Sequence, residues 1–598
     1  MHPADPRAIY SARLHDRTGT LAALSQRSSR IAALRLLVFL AAAAIAWFAI
    51  GGQLVIWWIA APIAAFIALV SRQARLERDI ERTRRAIRFF EHGIARLEHR
   101  WQGSSENGGI RFLDPHHPYA ADLDLFGRAS LFELLSTART RGGEARLASW
   151  LLAPASPEEL RARHEAVGEL RPLLDLRERL AVLGDDFRAG VKPEELAAWA
   201  GAPARPWPGG MRLLALILSA GAFVALIWLL GTDLADRNAR IALLAAGLIE
   251  AAFAVPMRAR ILETIAAVEE PAHDLDLLSQ ILETLEAHQF QSPLLKKLRG
   301  LIQVDCQPAS RRIARLRRLA DMIDSRENPI VRAVGPVILW TTQLGMAVEA
   351  WRAENGPQVG GWLEAVSEIE ALSALAGYAW EHPEDPFPGF APAADACFEA
   401  EALGHPLLAG DRCVRNSVSL VSPVRLLIVS GSNMSGKSTL LRAIGVNTVL
   451  ALAGAPVRAA RLRVSPLSLG ASIRTMDSLE EGNSRFMAEI LRLKQILELP
   501  APSLFLVDEL LGGTNSHDRA VGSEGLIRAL LERGAIGLAT THDLSLARVA
   551  DALAPAGANV HFEDRLENGK LVFDYRMRPG IVTRSNALDL MRAVGLNV

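Results

Sequence analysis

Residues 426–430 form an apolar, β-branched run. Gly431, Ser432, Asn433, Met434, Ser435, Gly436, Lys437, Ser438 and Thr439 follow at once, and 440–452 then reads as helix. Few folds accept that order of strand, glycine loop and helix. The glycines let successive backbone N–H groups curl around an anion at the positive end of the helix. The spacing is that of a phosphate-binding loop, so the expected ligand of 431–439 is ATP with Mg²⁺. Lys437 is placed to reach the β- and γ-phosphates, and the Ser438 hydroxyl to ligate the metal.

Two further strands extend the pattern. Residues 504–507 end in Asp508 and Glu509, an acidic pair where a parallel sheet exposes its chemistry. Asp508 is the expected second metal ligand, and Glu509 the general base that polarises water; two solvated carboxylates closing a strand is the bland alternative. Residues 535–540 form the third strand, followed by Thr541, His542 and Asp543, which puts His542 near the γ-phosphate. The expected catalytic set is Glu509, His542 and Lys437. Strands alternating with helices after the proline-rich break at 381–392 predict an α/β P-loop ATPase domain over 393–598.

The N-terminal two-thirds reads as helical and, in places, as membrane-seeking. Residues 36–70 carry one strongly polar side chain, Gln53, and break at Gly51 and Gly52. This predicts a transmembrane hairpin at about 32–50 and 54–71 within a segment 1–72. A juxtamembrane helix and a Gly-, Pro- and His-rich linker follow over 73–119. An all-α core over 120–392, with a helix start at Ser156, carries a second apolar pair at about 213–231 and 241–257. Arg27, Arg30, Arg35, Arg72, Arg75 and Arg78 flank the first pair, and Arg212, Arg258 and Arg260 the second. Both hairpins are therefore expected to leave from and return to the cytoplasm, with the ATPase domain on that side of the inner membrane. A buried core hairpin is the alternative for each; the second is short and contains Glu250. Cys306, Cys397 and Cys413 have no metal-ligand spacing.

These motifs resemble the MutS family of DNA mismatch-repair ATPases. The loop's Asn433 and Met434, the segment Ser484, Phe486, Met487 and Glu489, the Asp508–Glu509 pair with Gly513 and Thr514, and Thr541 with His542 keep the family's order. His405 and Pro406 before the loop, and Asn559 to Phe562 after it, also fit. Two positions depart: Ser435 stands where the family usually has glycine, and Gly512–Gly513 where Gly-Arg-Gly is common. The resemblance implies a homodimer through the ATPase domains, with Ser484 acting in trans on the partner's nucleotide and residues 514–516 at the seam. From its own sequence context Ser484 is a helix N-cap. Weaker similarity over 125–154 and 310–329 implies the family's core and lever domain, with the second apolar pair inserted in the lever.

No domain with the family's Phe-x-Glu wedge fits in residues 1–120; Phe562 to Asp564 is better read as strand. The family's helix-turn-helix tail is not expected before Val598. Direct mismatch reading is therefore not expected. Lys and Arg total 66, as do Asp and Glu, so no overall field attracts nucleic acid. A local basic run, Lys296, Lys297, Arg299, Arg311, Arg312, Arg315, Arg317 and Arg318, suits double-stranded DNA, an anionic lipid surface or a solvated helix face. Two functions remain: a membrane-anchored ATPase whose nucleotide state moves a lever on DNA, or an ATP-gated membrane scaffold acting on a protein.

Overall fold

The computed structural model describes residues 5–51, 56–103, 108–183, 193–232, 236–269, 272–303, 307–392, 395–432, 434–474, 485–512, 516–542, 544–567 and 570–582. The chain divides into two compact units that do not follow sequence order. One comprises Met1–Thr137, Ala145–Leu174 and Ala371–Val598; the other comprises Ala138–Glu144 and Asp175–Glu370.

The first unit is organised by two sheets, whose strands in chain order are β1 (Gly389–Phe390), β2 (Phe398–Leu403), β3 (Asn416–Leu420), β4 (Leu426–Ser430), β5 (Arg461–Val464), β6 (Ser468–Ser472), β7 (Ser503–Val507), β8 (Ile536–Thr541), β9 (Gly557–Glu567) and β10 (Lys570–Pro579). The larger sheet runs β10-β9-β4-β8-β7-β6. Its members from β9 to β6 are parallel, and β10 returns antiparallel at the edge. Every residue of β4, β7 and β8 is buried, as a parallel sheet covered on both faces requires. Ser430 pairs with Thr541, and Val507 with Ala539. The turns after β4, β7 and β8 therefore leave one edge together, the carboxyl edge.

A second, mixed sheet, β1-β5-β2-β3, corrects the expectation of simple strand–helix alternation after residue 393. β2 reads Phe398, Glu399, Ala400, Glu401, Ala402, Leu403, which is rich in helix formers. Pairing with β3 and β5 overrides that propensity.

Helix Lys437–Ala453 lies against the larger sheet and is buried along nearly its whole length. A Cβ at Gly445 would meet the Leu123 side chain at 2.5 Å, so close packing demands glycine there. The segment expected as a linker is packed instead. The Phe112 ring lies tilted against Phe126 and Phe132, at centroid distances of 5.9 and 5.6 Å, and the Pro118 carbonyl accepts from the Ala471 amide at 2.8 Å. The Asp122 carboxylate accepts from the amides of Ile473 (2.7 Å) and Arg474 (2.8 Å), tying this segment to the end of β6. At Ser156 the expected helix start is a reciprocal capping box with Glu159.

The N-terminal pair consists of helix Pro6–Ile50 and helix Ala60–Leu97, each longer than the sequence suggested. The first begins at Pro6 because the Asp5 carboxylate accepts from the Arg7 amide at 3.0 Å and caps the helix. Its return strand of helix runs unbroken through the arginine-rich stretch. At the root of the pair, Arg96 forms a 2.5 Å ion pair with buried Glu381, which also accepts from the Tyr10 hydroxyl at 3.1 Å. Beyond the root the most apolar stretch of each helix has no buried residue, and Trp47 is 78% exposed. This is not a core hairpin.

The second unit is helical among its described residues. Buried Glu370 accepts from the Thr140 hydroxyl and from the Arg139 and Thr140 amides. Helix Met211–Gly231 and helix Arg237–Ala254 form its apolar pair. These two helices and the N-terminal two are long and apolar enough to cross a membrane.

Candidate functional site

β4 ends at Ser430, and the chain turns through Gly431 (φ 152°) and Gly436 (φ 103°) into helix Lys437–Ala453. A Cβ on Gly431 would meet the Ser435 hydroxyl at 2.9 Å and the Phe562 carbonyl at 3.1 Å, so the cradle needs glycine at that point. Met434, 85% exposed at the loop tip, takes a left-handed φ of 72°. Ser435 does not, which explains why a serine is accommodated where glycine is usual.

Buried polar groups line this loop. The Lys437 ammonium donates to the carbonyls of Gly431 (2.8 Å) and Ser432 (2.9 Å). Burial pulls its pKa below the ordinary lysine value, while Asp508 and Glu509 act in the opposite direction. The side-chain oxygens of Ser432 and Ser435 are buried without a hydrogen-bond partner.

The tip of β7 meets the loop. The Ser438 hydroxyl donates to Asp508 Oδ2 at 2.5 Å. Thr540, on β8, donates to Asp508 Oδ1 and accepts from the Glu509 amide at 2.9 Å. One threonine hydroxyl thus orients both carboxylate-bearing residues. Glu509 has a left-handed φ of 51°, a backbone cost concentrated where the acidic pair turns out of the sheet. His542 Nδ1 lies 3.5 Å from Glu509 Oε1, both side chains being partly exposed. On the far side of that turn, Glu489 accepts from the Leu511 amide at 2.7 Å.

Lys437, Ser438, Asp508 and Glu509 open onto a cavity of about 850 Å³, which Met434, Gly436, Thr439, His405, Phe562 and Tyr575 also line. Desolvation holds the His405 imidazole down at about 4, so it is neutral at physiological pH. The dimensions suit a small-molecule ligand. The donor set also fits a triphosphate with a divalent ion: backbone N–H groups, an ammonium, unpaired serine oxygens, and a hydroxyl beside a carboxylate.

Gly431, Ser432, Met434, Ser435, Gly436, Lys437, Ser438, Thr439, Asp508, Glu509 and His542 are thus gathered at one edge of the sheet. Asn433, Ser484 and Thr514 lie outside the described residues. Sequence reasoning missed Thr540. The available signal was its place on the strand next to the acidic tip, one residue before Thr541. It also missed the cavity wall formed by Tyr575.

Residues 427–597 match the family described as MutS domain V. A segment of 214 residues is 34% identical to the protein named endonuclease MutS2 from Thermus thermophilus, covering 34% of this chain and 27% of that protein. Another of 247 residues is 34% identical to endonuclease MutS2 from an Anaeromyxobacter species, covering 40% and 30%. A third, of 187 residues, is 35% identical to DNA mismatch repair protein MutS from Shouchella clausii, covering 31% and 21%. The chain therefore spans less than a third of the length of each of these relatives. The matches support MutS family membership through the C-terminal part of the chain.

Proposed function

We propose that this chain is a membrane-anchored, MutS-like ATPase that works as a homodimer and couples nucleotide turnover to movement of its helical part. The observation that carries the ATPase reading is the meeting of Ser438, Asp508 and Lys437 at the mouth of one cavity. Mg-ATP, when bound, supplies the γ-phosphoryl group and the metal's positive charge. Lys437 exchanges its two loop carbonyls for phosphate oxygens, and the peptide N–H groups of 431–439 cradle the remainder. Ser438 and Asp508 would hold the metal, with Thr540 fixing the carboxylate. Glu509 accepts a proton from the attacking water. His542, 3.5 Å away, orients Glu509 or the water. Ser484 of one copy is assigned to the other copy's nucleotide, on the family resemblance.

Two apolar helical pairs support the membrane assignment, and their flanking arginines favour both returns, and the ATPase region, on the cytoplasmic side of the inner membrane. None of the apolar window of the N-terminal pair packs inside the chain.

Double-stranded DNA is the partner that the named relatives suggest. One observation favours the second reading, an ATP-gated scaffold acting on a protein. Part of the basic run is already engaged: Arg317 pairs with Asp276, Arg315 lies 3.7 Å from Glu354, and Arg312 donates to Asn355 (3.2 Å) and Gln358 (2.9 Å). Titrating duplex DNA into the purified full-length protein at low salt separates the two. A change in ATPase rate that vanishes as salt rises supports DNA; no response supports the scaffold.

A further inference from the structure

The second unit holds another cavity, of about 890 Å³, between its apolar helix pair and the short helical segments of residues 326–342. Most of its wall is apolar: Ala222, Leu243, Ala251, Val331, Val337 and Trp340 all line it. One carboxylate interrupts that wall. Glu250, on helix Arg237–Ala254, is 5% exposed, and its Oε1 is buried with no hydrogen-bond partner. Leaving a buried carboxylate oxygen unpaired is costly, and a cation with N–H groups relieves the cost. Arg326 and Arg332 line the same cavity. Negative and positive groups are thus set into one apolar-walled space. Glu250 precedes Arg258 by about two helical turns.

We propose that this cavity binds the head of an ethanolamine-type phospholipid. The ammonium sits on Glu250, the phosphate faces Arg326 and Arg332, and the acyl chains follow the apolar wall. The assignment rests on the membrane reading of helices Met211–Gly231 and Arg237–Ala254, and is independent of the nucleotide site. A phosphatidylcholine of the same chains has a cationic head but no N–H to donate, so it is the discriminating competitor.

The test uses full-length protein in detergent micelles and displacement of a fluorescent phosphatidylethanolamine. Unlabelled phosphatidylethanolamine should compete about tenfold better than phosphatidylcholine, the loss expected for one charge-assisted hydrogen bond. Glu250→Gln should erase that preference. Gly247→Leu keeps the carboxylate and adds its side chain where a Cβ meets no atom within 4 Å; it should weaken both lipids by filling the cavity. Circular dichroism of both variants controls for folding. Equal competition by the two lipids, or a preference that survives Glu250→Gln, overturns the proposal. Equally effective displacement by soluble phosphoethanolamine overturns the lipid assignment in favour of a free head group. Carbonate-resistant retention in membranes tests the membrane reading separately, so the two failures are distinguishable.

Discussion

Two carboxylates, Asp508 and Glu250, sit in two regions built on opposite terms. Asp508 closes a strand whose neighbours deliver a hydroxyl to each of its oxygens, Ser438 to one and Thr540 to the other. Glu250 sits in an apolar wall with a buried oxygen that has no hydrogen-bond partner among the described residues. The difference teaches how chemistry is held in place. At the sheet edge, three parallel strands end in register, so backbone geometry alone brings the polar groups together. In the helix pair, side chains radiate around each axis, and a single polar residue meets only what a neighbouring helix or a ligand presents. The first arrangement supports catalysis on a fixed frame, the second a selective pocket.

Substitutions at the sheet edge should therefore behave as parts of one machine. The largest effect is expected from Glu509→Gln: turnover should fall by about 10²–10⁴-fold while nucleotide binding survives, because only the proton acceptor is lost. Single-turnover kinetics with trapped ATP checks it; rapid turnover in this variant would remove Glu509 from the role of base. A smaller loss, about tenfold in kcat, is expected of Thr540→Val, which keeps the β-branched strand residue but leaves Asp508 and the Glu509 amide without their shared hydroxyl. An unchanged rate would mean that Ser438 alone suffices to orient Asp508.

A second comparison sets stability against pH. Burial holds His164 and His405 at about 4, below the ordinary 6.5, so the unfolded chain binds more protons than the folded one below neutrality. Their contribution is fully present above pH 6.5 and is lost as pH falls toward 4, at up to about 1.4 kcal/mol per pH unit for the deeply buried His405. His164 lies in ring contact with Phe387 and Phe390. Thermal midpoints of His164→Phe measured from pH 7 to 4.5 should fall less steeply than those of the natural protein. Parallel curves would locate the acid sensitivity elsewhere.

Much of the sheet edge was legible in the sequence because a phosphate loop fixes residue type at almost every position, and because runs such as 426–430 and 504–507 are too uniformly apolar to be anything but covered strands. Thr540 was not legible: its importance comes from its register beside β7, a contact between residues far apart in the chain. The small second sheet escaped for a related reason. Its strands are short, and Phe398–Leu403 carries helix-forming side chains that pairing overrides. In the apolar helices composition located the apolar runs but not the helix ends. Helix Pro6–Ile50 starts where Asp5 and Pro6 supply a start signal well upstream of the apolar run.

The claim beneath the sheet-edge chemistry is that Lys437 and its loop grip a nucleotide. Equilibrium binding of ATP with Mg²⁺ to the full-length protein and to Lys437→Ala tests it most directly. The expected result is binding by the natural protein and a loss of about 10²-fold or more in the variant, as removal of a buried phosphate-facing cation implies. Equal affinity in the two would contradict it.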